Sequence, residues 1–171
     1  MKVSLRWLKD YVAIGVTAQK LASKLTMAGL EVEKISSVDG DSILELEITP
    51  NRPDCLSVLG VAREVAAIFN MPLKFPTIKK RVLPKQKCAI EIDDQQGCPR
   101  YIGTVIKNVS VKKATDKIIK NLRVLGMRSV NNIVDITNFC LMETGQPLHA
   151  FDYDKLAGGK IIVRWARKGE T

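Results

Sequence analysis

The 171 residues include 27 Lys and Arg against 18 Asp and Glu, and 46% are apolar, a globular composition with length for one domain or two small ones. The longest apolar stretches, Tyr11 to Val16 and Val65 to Phe69, fall far short of the roughly 20 residues a membrane-spanning helix needs. The opening MKVSLRWLKDYV interrupts its apolar residues with Arg6, Lys9 and Asp10, unlike a secretory signal, so a cytoplasmic chain is expected.

Residues 1–79 carry ten basic and nine acidic side chains, whereas residues 80–171 carry seventeen and nine. Such a localised excess suits a polyanionic partner, because each Lys or Arg near a phosphate releases condensed counterions. A solvated basic face accounts for the same count. Aromatic residues make up 5%, which gives no sign of a base-stacking surface. Cys55, Cys88, Cys98 and Cys140 form no C-x-x-C pair and read as reduced structural thiols; with His149 as the single histidine, no metal site is expected.

In chain order, Leu5, Trp7, Leu8, Tyr11 and Val12 suit a short amphipathic segment. Thr17 offers an N-cap to a helix with Leu21, Ala22, Leu25 and Ala28 on one side, and Gly29 is its stop. Glu31 to Val38 and Ser42 to Thr49 alternate as strands around the hairpin turn Asp39-Gly40. The two prolines of TPNRPDC, Thr49 to Cys55, forbid a regular element and fix a loop in which Arg52 satisfies nearby carbonyls; Asp54 can cap the helix that follows. That helix carries Leu56, Leu59, Ala62, Val65, Ala66 and Phe69 at helical spacing. Lys74 to Lys87, with two prolines and no amphipathic period, reads as a linker.

Further along, the stretches from Cys88 and from Arg100 read as strands, separated by a turn at Gln95-Gln96-Gly97. Thr115 or Asp116 starts a helix with Ile118, Ile119, Leu122 and Leu125 inward and Lys117, Lys120 and Arg123 outward, ended by Gly126. Asn131 or Asn132 caps another helix that runs to Gly145, and a strand resumes at Lys160. The order strand, strand, helix, helix, strand is a mixed α/β unit.

Arg128 to Asp152, RSVNNIVDITNFCLMETGQPLHAFD, gathers Asn131, Asn132, Asp135, Thr137, Asn138, Gln146 and His149 around an apolar helix. That is more short hydrogen-bonding groups than solubility requires. Capping by the asparagines and a turn at Gly145-Gln146-Pro147 account for several of them without any chemistry. No G-x-S-x-G setting and no phosphate-cradling glycine loop is present, and Glu91, Asp93 and Asp94 are more simply solvated than gathered on Mg²⁺.

ILELEITPNRPDCLSVLGVAREVAAIF and RSVNNIVDITNFCLMETGQPLHAFDYDKL, the latter preceded by CPRYIG, resemble the β subunit of bacterial phenylalanine–tRNA ligase in residues and order, and MKVSLRWLKDYV and LTMAGLEVE resemble that subunit's opening. The resemblance implies a part in tRNA aminoacylation within an α2β2 synthetase. There the α subunit charges the tRNA with ATP and Mg²⁺, and the β subunit contributes structure, tRNA contacts and hydrolysis of mischarged Tyr-tRNA. Such editing is needed because an apolar pocket shaped for Phe discriminates weakly against an added hydroxyl. No cofactor in this chain, and no membrane or DNA partner, is implied.

The implied fold is α+β: a small N-terminal α+β domain over 1–79, a linker and first strand over 80–93, and over 94–171 the opening part of a mixed α/β editing domain of B3/B4 type. Transferred position by position, the editing site comprises Arg128 on a phosphate or ribose, Thr137 and Asn138 near the ester, and His149 as the catalytic-site residue that orients the ribose or polarises the water. The family inserts an OB-type tRNA-binding domain where this sequence holds Asp39-Gly40-Asp41. The sequence also reaches RKGET before the family's editing domain is complete, so a fragment inactive by itself is expected. A non-catalytic structural or RNA-contacting module and a free-standing hydrolase of mischarged tRNA are the alternatives.

Overall fold

The computed structural model describes residues 1–76 and 88–170. The linker expected over Lys74–Lys87 therefore lies, from residue 77 onward, outside the described residues. Two compact units are present: residues 1–76 with 111–149, and residues 88–110 with 150–170.

The first unit is built on an antiparallel sheet of β1 (Lys2–Ser4), β3 (Asp41–Leu46) and β2 (Val32–Val38), in that spatial order. Val3 lies opposite Leu44, and Val38 opposite Asp41 across the hairpin. Asp39 and Gly40 both have positive φ, 52° and 71°, as the tight turn requires. Ser4 ends β1 and caps α1 (Leu5–Leu8) by accepting from Trp7 N at 3.0 Å. Its hydroxyl in turn donates to the buried carboxylate of Asp41, so the first strand, the first helix and the hairpin share one polar knot.

Thr17 caps α2 (Ala18–Met27) as expected, with Gly29 at φ 93° behind it. The cap of α3 (Val58–Ile68) is Ser57, which accepts from Gly60 N at 3.0 Å. It is not Asp54, because Pro53–Cys55 forms a separate 3₁₀ turn and turns the Asp54 carboxylate to Arg52. Gly60 is obligatory there: a Cβ would stand 1.8 Å from the Asp54 carbonyl oxygen.

The helices α4 (Asp116–Val124) and α5 (Asn132–Thr144) also pack within this unit, whereas the sequence assigns them to the segment from residue 94 onward. Val124 and Leu125 join the core of Trp7, Leu21, Leu44, Val58 and Val65, and the Phe139 ring stacks on Trp7 with centroids 4.7 Å apart. An apolar helix face follows the core that buries it, whatever its distance along the chain.

The second unit consists of β4 (Ala89–Ile92) and β5 (Lys160–Val163), paired in parallel with Ile90 opposite Ile161, and two 3₁₀ turns, Tyr153–Lys155 and Ala157–Gly159. The strand expected from Arg100 does not form. Gly103 passes close to β4, where a Cβ on it would stand 2.9 Å from Ile90 Cδ1, but residues 101–109 form no strand among the described residues. Alternation alone makes no strand without a backbone partner. Helices and short strands occur together in the chain, so the α+β class holds.

Candidate functional site

Helix α5 and its flanks hold all four residues singled out in the sequence. Asn131 is its cap, accepting from Ile133 N and Val134 N, both at 3.0 Å. One turn in, Asp135 is fully buried and accepts from Ser129 Oγ at 2.6 Å and Val130 N at 2.9 Å. This carboxylate pins the 129–131 turn and thereby fixes where Arg128 leaves the chain. Buried carboxylates persist when their oxygens are met by such donors.

Two faces of α5 separate by helical spacing. Asp135, Phe139, Met142 and Glu143 face inward; Phe139 stacks on Trp7, and Tyr11 donates its hydroxyl to Glu143. Burial, followed by the hydrogen bond to Glu143, pushes the Tyr11 phenol well above its ordinary range. Val134, Thr137 and Leu141 fall together on the other side, where Val134 and Leu141 are exposed.

Arg128 is exposed between α4 and α5, with no hydrogen bond or ion pair among the described residues. Thr137 is half-buried in the second turn of α5 and donates its hydroxyl to the Val134 carbonyl at 2.8 Å; Asn138, beside it, is also half-buried. Gly145 closes the helix at φ 78°, and His149 lies four residues further on, exposed. All four belong to the first unit.

Residues that the sequence reading did not single out for these roles are the Asp135 anchor, the Tyr11–Glu143 bond and the Trp7–Phe139 stack. The shared spacing of residues 135, 139 and 143 is a signal for one face, but their partners are more than a hundred residues away for Tyr11 and Trp7, and no local pattern reveals them.

A separate polar cluster surrounds Arg52, whose Nε and Nη2 donate to the two carboxylate oxygens of Asp54 at 3.1 and 3.0 Å and whose Nη2 lies 2.8 Å from Glu64. The structural role expected for Arg52 is therefore present, with carboxylates in place of carbonyls as partners. Arg52 holds the Asp54 carboxyl down to about 2, while burial, and then the hydrogen bond to Asp54, pushes the Cys55 thiol up to about 11. Asp54, Cys55 and Glu64 are close enough to share a cation, yet the guanidinium already serves both carboxylates. Elsewhere Glu91 is paired with Lys160 at 2.8 Å, and Asp94 caps Gly97 N at 3.0 Å. These carboxylates do not fit the Mg²⁺ of an ATP site.

A B3/4 domain family model matches residues 97–171, a span that crosses the packing division and contains all four candidate residues. Phenylalanine–tRNA ligase β subunits are similar over most of the chain. The one from Carboxydothermus hydrogenoformans is 53% identical over 144 residues, covering 83% of this chain and 18% of that protein. That of Rhodopirellula baltica is 41% identical over 178 aligned residues, covering 99% and 25%. The chain thus spans a quarter or less of these curated relatives. A solved N-terminal fragment of the phenylalanyl-tRNA synthetase β subunit from Pyrococcus horikoshii aligns at 15% identity and a TM-score of 0.42, covering 85% of this chain and 38% of that one.

Proposed function

Since the chain belongs to the family of phenylalanine–tRNA ligase β subunits, we propose that it acts as β-subunit sequence in a synthetase with an α subunit and tRNA, and that α5 and its flanks contribute to hydrolysing mischarged Tyr-tRNA. The observation that carries this reading is the B3/4 match over residues 97–171, which encloses Arg128, Thr137, Asn138 and His149. ATP and Mg²⁺ serve the charging reaction on the α subunit, and work takes place in the cytoplasm.

The proposed division of labour follows from chemistry. Arg128 presents a planar, permanently charged fork suited to a phosphate of the tRNA end. Thr137 and Asn138 offer short donors and acceptors to the ester and amino groups of the substrate. The exposed apolar pair Val134 and Leu141, on the same side as Thr137, suits the ring of an aromatic amino acid. His149 orients the terminal ribose or polarises the attacking water, which adds to the ester carbonyl before the tRNA hydroxyl leaves.

One observation favours the non-catalytic alternative for the chain by itself: Arg128 and His149 are exposed, and the Thr137 hydroxyl is engaged with its own helix. Hydrolysis at a useful rate needs these groups held in place before the substrate arrives. The isolated chain is therefore expected neither to charge tRNA nor to deacylate Tyr-tRNA. The test is Tyr-tRNA deacylation by the assembled synthetase containing this sequence. His149→Ala and Thr137→Ala should each slow deacylation by about 10²-fold, the scale of a positioned acid–base group, with Phe charging unchanged. Normal deacylation by both variants would remove the site from this helix, and turnover by the chain alone would make it a free-standing hydrolase.

A further inference from the structure

Arg128 stands in the connection between α4 and α5, and the backbone is held on both sides of it. On the α4 side, Gly126 at φ 86° ends the helix: its N–H donates to the Arg123 carbonyl at 2.9 Å, and Met127 N donates to the Leu122 carbonyl at 3.0 Å. This pair of bonds is a common lock on a helix end. On the α5 side, Ser129 Oγ and Val130 N donate to the two carboxylate oxygens of Asp135. Two bonds between Asn132 and Lys112 then fasten the start of α5, Asn132 N to the Lys112 carbonyl at 2.7 Å and Lys112 N to Asn132 Oδ1 at 2.9 Å. Between these locks the exposed Arg128 guanidinium has no hydrogen bond or ion pair among the described residues. A fixed base under an unpaired charged head is the arrangement that preorganised recognition of an anion needs.

Asp135 cannot touch a substrate, because it is fully buried and both of its oxygens are engaged. What it controls is geometry. Its partners are the two residues that follow Arg128, and Thr137 and Asn138 lie two and three residues beyond it on the same helix. One carboxylate therefore joins the turn that carries Arg128 to the rigid element that carries the other two. A buried carboxylate is an expensive way to gain stability alone, since an apolar residue of similar volume often serves as well.

We propose that Asp135 is a positioning residue for hydrolysis of mischarged tRNA: by holding Ser129 and Val130 it fixes the Arg128 guanidinium relative to Thr137 and Asn138, and so sets where the tRNA end is gripped with respect to the ester. This inference rests on the reading of Arg128 given under the proposed function.

The test is Tyr-tRNA deacylation by the assembled synthetase containing this sequence, read as a double-mutant cycle. Arg128→Ala is expected to slow deacylation at least tenfold, the scale of a lost charge-assisted hydrogen bond, with Phe charging unchanged. Asp135→Ala should slow it by a comparable factor. The double variant should be no slower than Arg128→Ala, because Asp135 then has nothing left to position. Asp135→Asn should stay within about threefold of the unaltered protein: its Oδ1 still accepts from Val130 N and its amide donates to the Ser129 hydroxyl, which keeps the turn without the charge. Ser129→Ala removes one of the two donors, should give a smaller loss of the same kind, and carries the cycle if Asp135→Ala does not fold. Val65→Ala, in the core of the same unit, should lower Tm yet leave deacylation within about twofold.

Losses that multiply in the double variant would reduce Asp135 to a structural role and overturn the inference, as would Val65→Ala slowing deacylation as much as Asp135→Ala does. Asp135→Asn as slow as Asp135→Ala would also overturn it, by pointing to the charge rather than the turn. Normal deacylation by Arg128→Ala would overturn the reading of Arg128 and the inference with it. A slow Arg128→Ala beside a normal Asp135→Ala would overturn the inference alone.

Discussion

In the first unit, Trp7, Leu8, Leu21, Leu44, Val58 and Val65 are shut off from water around one core, whereas in the second no described residue is fully buried. The second unit is not short of apolar residues: Ile102, Ile106, Phe151, Ile162 and Trp165 are there, but exposed. What differs is layering. A three-stranded sheet with helices packed on it closes a core, while a two-stranded parallel pair has two faces to cover and nothing of its own to cover them with. Apolar content therefore says little about stability until the topology supplies a second layer.

The largest expected effect tests this contrast with one residue type. Trp7→Ala removes a side chain that is 2% exposed and stacked on Phe139, and should cost about 3–5 kcal/mol in urea unfolding. Trp165→Ala, at 77% exposure in the second unit, should change stability by less than about 0.5 kcal/mol. Similar losses from the two would break the comparison.

Gly60→Ala comes next: its Cβ meets the Asp54 carbonyl, so the 3₁₀ turn or α3 must shift, at a cost of about 2 kcal/mol or more by the scale of overpacked sites. An unchanged melting temperature would show that the turn is not held against the helix. Asp135→Ala strips the partners from Ser129 and Val130, with an expected loss of about 1–3 kcal/mol and faster amide exchange at Val130. Exchange over the whole chain should sharpen the contrast further. Amides of α3 and β3 should open only with global unfolding, and those of β4 and β5 by local opening; equal protection would refute it.

The smallest effect is in acid. Asp54 beside Arg52 and Glu170 beside Arg164 are both held at about 2, below the usual carboxylate range of about 4. A carboxylate with a depressed folded-state pKa adds stability that is whole above its unfolded value and is lost as pH falls through its folded value. Both should titrate near pH 2 by NMR, and Asp54→Asn should slightly flatten the loss of first-unit stability between about pH 4 and 2. Titration of Asp54 near 4 would mean that the Arg52 pair is not formed in solution.

Much of the first unit was legible in the sequence because its signals are local. Thr17, Asp39-Gly40, Asn131 and Gly145 each act within a few residues, through a cap hydrogen bond or a positive φ, and the structure places them as read. Ser57 rather than Asp54 caps α3 because the Asp54 carboxylate has a stronger partner in Arg52. Arg128, Thr137, Asn138 and His149 came from resemblance; spacing alone explains them equally well as turn and cap residues.

By itself the sequence determined most of the element types, the turn chemistry, the family and the basic surplus beyond residue 79, since each depends on residue identity and short-range spacing. Only the tertiary structure decided that α4 and α5 complete the first core, that Asp135 anchors the turn beside Arg128, and that residues 101–109 form no strand. The reason is physical: burial, strand pairing and hydrogen-bond satisfaction are relations between residues tens to more than a hundred positions apart. A chain states such relations only once it is folded.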